Sequence, residues 1–116
     1  MHNKPRRPNK TEERKKTIRM STSLKAQYFF KDAQQEAMEC TVINISLSGV
    51  GLAFYTPEKI DVGSKLFLKI YAVGGKTTVT VEGIVRWVNQ GKKDFLCGIK
   101  LTEALDEVKL VMLGLF

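Results

Sequence analysis

Six short runs of alternating apolar and polar residues, separated by turn-forming residues, constrain the fold of this chain more than any other feature of its sequence. Alternation with a period of two places every second side chain on one face, as in a half-buried β-strand. Gly74–Gly75 and residues 89–93 have the composition of hairpin turns. We therefore predict six strands, over residues 19–30, 38–43, 50–55, 65–73, 76–88 and 95–101.

The residues after the sixth run change to a helical period and predict a C-terminal helix. Thr102 is its predicted N-cap, and its predicted apolar stripe consists of Leu105, Val108, Met112 and Leu115. Gly83, inside the fifth run, predicts a bulge or a sharp bend of that strand. Six short strands followed by one helix predict an all-β domain, a small antiparallel barrel. The local pattern does not distinguish this barrel from a sandwich or an OB-like barrel.

The net charge of +7 is concentrated at the N-terminus. Residues 1–19 hold eight Lys and Arg residues against two Glu residues, so they carry +6 and the remaining chain carries +1. Residues 1–13 contain few apolar side chains, so burial contributes little to ordering them. We predict a flexible basic arm over residues 1–13 and a single folded domain over residues 14–116.

The rest of the composition predicts a protein without a membrane span. Apolar residues make up 43% of the chain, but no apolar run approaches the roughly 20 residues of a membrane helix. The N-terminus lacks the apolar core of a signal peptide, and we expect a cytoplasmic protein. Cys40 and Cys97 lie in strand-like runs and are predicted to be buried thiols rather than metal ligands.

The turn over residues 44–49 joins the second and third runs and has the pattern Asn-x-Ser-x-x-Gly. These residue types form turns, so the stretch also fits a plain β-turn. A basic cluster that contains Arg14, Lys15 and Arg19 precedes it in the chain. Together the two motifs resemble the signature of the PilZ domain family, an Arg-Arg-x-x-x-Arg stretch followed by an (Asp/Asn)-x-Ser-x-x-Gly turn. The turn matches fully, whereas Lys15 stands at the position of the second arginine.

This resemblance implies a six-stranded β-barrel with a C-terminal helix that binds the bacterial second messenger cyclic di-GMP. It assigns contacts with that ligand to Arg14, Lys15, Arg19, Asn44, Ser46 and Gly49. The guanidinium fork of arginine matches the O6 and N7 acceptors of guanine and also grips phosphate, whereas lysine offers one compact charge. Because Lys15 stands at the position of the second arginine, either Arg14 makes the contact of that arginine, or the affinity for cyclic di-GMP falls, or binding is lost. Trp87 is predicted to be either a core residue or a stacking surface for guanine.

Three hypotheses for the function follow from these features. In the first, the chain is a cyclic di-GMP receptor that orders its basic arm on the dinucleotide and signals to a partner protein. In the second, it is a PilZ-like adaptor that binds no nucleotide and acts through protein contacts. The third, a nucleic-acid-binding barrel, is disfavoured because the barrel carries only +1 and lacks the aromatic runs of such surfaces. The sequence shows neither a catalytic constellation nor a cofactor motif, so we predict that the chain is not an enzyme.

Overall fold

The computed structural model describes residues 19–31, 37–54, 60–91 and 93–115. These residues form six strands and one helix in the predicted order. The elements are β1 (Met20–Phe30), β2 (Met38–Ile45), β3 (Gly49–Phe54), β4 (Lys65–Tyr71), β5 (Thr78–Gln90), β6 (Phe95–Leu101) and α1 (Glu107–Met112). The fourth strand ends two residues earlier than predicted, and the fifth both starts and ends two residues later than predicted.

The six strands close into an antiparallel barrel in the order β1-β2-β3-β6-β5-β4. The barrel closes where β4 pairs with β1, with Phe29 opposite Phe67 and Ala26 opposite Ile70. A second long-range pairing joins β3 to β6, with Leu52 opposite Cys97. The pairing of β1 with β4 leaves neither strand at a sheet edge, and this pairing distinguishes the closed barrel from the sandwich that the sequence pattern also allowed.

The core fills the interior of the barrel with the inward-facing side chains of all six strands. On β1 the alternation of the sequence predicts that Met20, Leu24, Ala26 and Tyr28 face inward. Leu24, Ala26 and Tyr28 are buried, and Met20 is half-buried. The rings of Phe54 and Phe95 stack at a centroid distance of 5.6 Å across β3 and β6. Burial of such apolar side chains is the main favourable term for folding of a domain of this size.

The start of the helix and its buried face differ from the prediction. The N-cap is Asp106, whose Oδ1 accepts a hydrogen bond of 2.9 Å from Lys109 N, and Thr102 is not part of the helix. The backbone before the helix bonds to the barrel instead: Leu105 N donates to Leu47 O at 2.7 Å. Of the predicted stripe, Leu105 is buried and Leu115 is half-buried, whereas Val108 and Met112 are exposed. The residues of this helical segment that pack on the barrel are Leu110 and Leu113.

The described part of the chain contains no helix long and apolar enough to cross a membrane.

The strand bulge predicted as one alternative at Gly83 does not lie there, because the pairing of β5 with β4 and with β6 runs through Gly83 without a shift. A side chain at Gly83 would meet the Ile99 side chain and lie 2.9 Å from the carbonyl oxygen of Lys100. Gly83 therefore permits close packing of β5 on β6, and the bulge of β5 lies further along the strand, before Trp87.

The two cysteines are buried free thiols, as predicted. Burial raises the pKa of both thiols from 9.0 to about 12, and the neighbouring Cys97 contributes to the shift at Cys40. We expect both thiols to react slowly with a thiol reagent at pH 8 in the folded protein and rapidly in denaturant, because the thiolate is the reactive species. Equal rates in both conditions would contradict the buried placement.

The same pKa shift has a consequence for stability. The folded state holds the thiol protons more tightly than the unfolded state. The resulting contribution to the free energy of unfolding is complete below the unfolded pKa of 9.0 and is lost as the pH rises toward about 12. Chemical denaturation between pH 8 and pH 11 measures this loss. The matched control is a variant with both cysteines replaced by alanine, in which the fall in the free energy of unfolding with pH should be smaller.

Candidate functional site

The site is built on the turn that follows β2. Ser46 is only 3% exposed. Its Oγ accepts a hydrogen bond of 3.1 Å from Gly49 N, while Ser46 N donates to Gly49 O at 2.8 Å. The turn is also tied to the end of β6, because Leu101 N donates to Ser48 O at 2.8 Å. The predicted ligand residue Ser46 thus stabilises the turn, and a bond from its hydroxyl to a ligand stays a prediction.

Arg19 is brought to this turn by the start of β1. Its Nη1 donates a hydrogen bond of 2.7 Å to Oδ1 of Asn44. Its Nη2 lies beside Gly49, 3.4 Å from where a Cβ atom on that residue would stand. Such a Cβ atom would also lie 2.8 Å from the carbonyl oxygen of Ile99, so only glycine leaves room here. The structure therefore brings Arg19, Asn44 and Gly49 into one cluster, and their contacts with a ligand stay a prediction.

A row of four paired residues crosses the outside of the barrel next to this cluster. Asn44 pairs with Gly51, Gly51 with Gly98, and Gly98 with Trp87. A Cβ atom on Gly51 would lie 2.6 Å from Asn44 Nδ2, and one on Gly98 would collide with the Trp87 indole. The Asn44 amide thus covers Gly51 and the indole covers Gly98. We call Gly51 and Gly98 the glycine floor of the site.

Three strands contain bulges, and those in β2 and β5 place Asn44 and Trp87 on the outside of the barrel. The extra residues lie between Ser21 and Leu24 of β1, between Val42 and Asn44 of β2, and between Val85 and Trp87 of β5. A bulge shifts the alternation of a strand by one residue and re-aims the side chains that follow it. After the β2 bulge Ile45 is fully buried and Asn44 is not, and after the β5 bulge Trp87 is 49% exposed.

Trp87 was predicted to be either a core residue or a stacking surface, and its exposed indole shows that it lies on the surface. Trp87 borders a groove of about 150 Å³ between the turn and strands β5 and β6. The residues that line the groove are Arg19, Ser48, Gly49, Arg86, Trp87, Gly98, Ile99 and Lys100. Three of these side chains are cationic and none is a carboxylate. The groove thus presents positive charge next to an aromatic face, although the strands as a whole are nearly neutral.

Four residues that line the groove were not predicted from the sequence: Ser48, Arg86, Gly98 and Lys100. Ser48 lies inside the turn over residues 44–49, and Arg86 directly precedes Trp87. Lys100 and Gly98 alternate with the buried Cys97 and Ile99, and this alternation in the sequence indicates that both face outward. Their proximity to the turn depends on the pairing of β6 with β3, which no local pattern reveals. The predicted contacts Arg14 and Lys15 lie outside the described residues, as does the predicted arm over residues 1–13.

The PilZ domain family model matches residues 12–113, which is most of the chain. The chain belongs to the PilZ domain family. This match confirms the family that the two motifs predicted. PilZ domains are a cyclic di-GMP-binding type of adaptor domain and are typically non-catalytic. No curated protein sequence matches this PilZ domain significantly.

Two solved structures show the same fold. The Bacillus subtilis inhibitor of motility (MotI/DgrA) superposes with a TM-score of 0.64 at 17% identity over 84% of this chain. This PilZ domain covers 46% of that protein, slightly less than half of its length. The PilZ domain of CeSA from a cellulose-synthesizing bacterium superposes with a TM-score of 0.60 at 11% identity, over 85% of this chain and 98% of that domain. At such identities the two likenesses show the fold alone.

Proposed function

We propose that this PilZ domain is a receptor for cyclic di-GMP that binds the dinucleotide in the groove beside residues 44–49 and signals to a partner protein. The observation that carries the proposal is the bond between Arg19 and Asn44, because it holds Arg19 at the groove that the exposed Trp87 also lines. An arginine held in place in the free protein loses less side-chain entropy when it binds a ligand. The family membership supports the choice of ligand.

The proposed contacts follow from the chemistry of a guanine dinucleotide. A guanidinium group has five N–H donors, and the bond to Asn44 uses one donor of Arg19. The remaining donors suit the adjacent O6 and N7 acceptors of guanine or a phosphate oxygen. Gly49 lets the ligand approach the backbone of the turn because it has no Cβ. The indole of Trp87 offers a face on which a guanine stacks.

The basic residues before Arg19 complete the proposed site. Arg14 is five residues before Arg19, and an extended chain of five residues spans at most about 17 Å, enough to fold back over a ligand held by Arg19. In this proposal Arg14 contributes a second fork, Lys15 contributes a single charge, and residues 1–13 become ordered when the ligand binds. The ordered arm changes the surface that a partner protein meets. The setting we propose is the bacterial cytoplasm.

The fluorescence of Trp87 tests the proposal directly, because Trp87 is the only tryptophan in the chain. Cyclic di-GMP should quench or shift the emission of the wild-type protein in a saturable way, since the half-exposed indole lies in the groove. Calorimetry of the same titration should show heat of binding. GTP and GMP should bind more weakly because neither presents two guanines and two bridging phosphates, and a short single-stranded oligonucleotide should also bind more weakly.

The competing outcomes are distinct. If cyclic di-GMP at high concentration produces neither heat nor a change in melting temperature nor a change in emission, the receptor proposal is wrong. That result would leave an adaptor that acts through protein contacts. If the oligonucleotide binds more tightly than cyclic di-GMP, the groove reads a nucleic-acid polymer instead.

A further inference from the structure

The bulge in β5 places two consecutive side chains, Arg86 and Trp87, at the same groove. Val85 pairs with Ile99 and Trp87 pairs with Gly98, so Arg86 is the extra residue of β5. Arg86 and Trp87 are both exposed, and both line the groove. In a regular strand two consecutive side chains point to opposite faces. The bulge therefore leaves the cation and the indole side by side on the outside, whereas a regular strand would turn the indole inward with Val85.

Lys100 adds a third positive charge from β6. It is exposed and lies opposite Gly49 of the turn, in the same groove as Arg19 and Arg86. Within the described parts of the chain, neither Arg86 nor Lys100 has a hydrogen-bond or salt-bridge partner among the side chains. Arg19, by contrast, bonds Asn44. Three cations that share one small groove without a carboxylate repel each other, and a bound anion relieves this repulsion.

We propose that Arg86 and Lys100 form a second, anion-binding half of the site, which holds a phosphate of the ligand. The inference rests on the proposed function and deepens it. A cyclic dinucleotide has two phosphates on opposite sides of its ring, so one phosphate is available to Arg86 and Lys100 when the other faces Arg19. The fork of Arg86 fits two phosphate oxygens, and Lys100 adds a point charge. This half belongs to the barrel itself and does not depend on the residues before Arg19.

The test compares four variants with the wild-type protein by calorimetry at one salt concentration. Arg86→Ala should weaken cyclic di-GMP binding about fivefold, as expected for a partly solvated charge contact. Lys100→Ala should have a smaller effect in the same direction. Arg86→Lys keeps the charge but removes the fork, and its affinity should lie between those of Arg86→Ala and wild type. The matched control is Lys76→Ala, which removes an exposed charge outside the groove and should bind like wild type.

A second measurement separates this inference from the proposed function. Inorganic phosphate added to the wild-type protein should shift the NMR signals of the Arg86 and Lys100 amides and of the Trp87 indole, and the shifts should disappear in the variant with both cations replaced by alanine. If Arg86→Ala binds cyclic di-GMP like Lys76→Ala, the second half is refuted and the receptor function stands. If cyclic di-GMP fails to bind but phosphate shifts these signals, the receptor function is refuted and the anion-binding pair stands. If neither ligand has an effect, both are refuted.

Discussion

Arg19→Ala is expected to weaken cyclic di-GMP binding more than any other single substitution in the described site. The variant loses a charge-assisted contact with the ligand that is desolvated on binding, which costs about 2 kcal/mol or more, or over tenfold in affinity. It also releases Asn44, whose Oδ1 accepts the 2.7 Å bond from Arg19 in the free protein. Calorimetric titration of the purified variant with cyclic di-GMP measures the loss.

A second arginine provides the control for this variant. Arg6→Ala removes the same charge from the predicted arm and should bind nearly as wild type does, because Arg6 lies outside both motifs. The melting temperature of Arg19→Ala without ligand should stay close to that of wild type, since an exposed residue at the start of β1 contributes little to the core. Equal losses in Arg19→Ala and Arg6→Ala would mean that the arginines act as a diffuse positive charge, and the assigned contacts would be wrong.

Gly98→Ala is expected to have the second large effect, although it adds only one methyl group. The new Cβ atom would collide with the Trp87 indole, 2.5 Å from its Cε2 atom, so the indole has to leave the glycine floor. If the indole stacks on a guanine, this displacement removes a contact of about 1–3 kcal/mol and weakens binding about tenfold. Gly98 does not have a positive φ, so alanine causes no backbone strain there. The emission of Trp87 should shift even without ligand.

A double-mutant cycle shows whether Gly98 acts through the indole. Once Trp87→Ala has removed the indole, adding Gly98→Ala should weaken binding little further, because the group that it displaces is already absent. Additive losses would show instead that Gly98 contacts the ligand or shapes the strand. Gly51→Ala is the companion variant at the other end of the floor. Its Cβ atom would press on the Asn44 amide, so it should affect the Arg19 side of the groove and leave the emission of Trp87 unchanged.

Much of the fold was predictable because it depends on local patterns. The alternation of Leu24, Ala26 and Tyr28 correctly indicated the buried face of β1. The glycine pair Gly74–Gly75 marked the position of a hairpin, although its loop spans residues 72–77 instead of two residues. The buried face of the C-terminal helix was harder to predict, because a helix with apolar residues on most sides has several faces that could pack on the barrel. In the structure, Leu110 and Leu113 are the residues of the helical segment that pack on the barrel. The backbone of Leu105 bonds to the turn, so the helix begins only after its N-cap Asp106.

The sequence by itself determined the family, the number of strands and the polar motif at the turn. It did not determine where the site residues point. Alternation along β2 groups Asn44 with the buried Cys40 and Val42, and alternation along β5 groups Trp87 with the buried Val85. Tertiary structure decided both cases, because a bulge is a mismatch between two paired strands rather than a property of either strand alone. Only the register of β2 with β3 and of β5 with β6 turns Asn44 and Trp87 outward, onto the two glycines that leave them room.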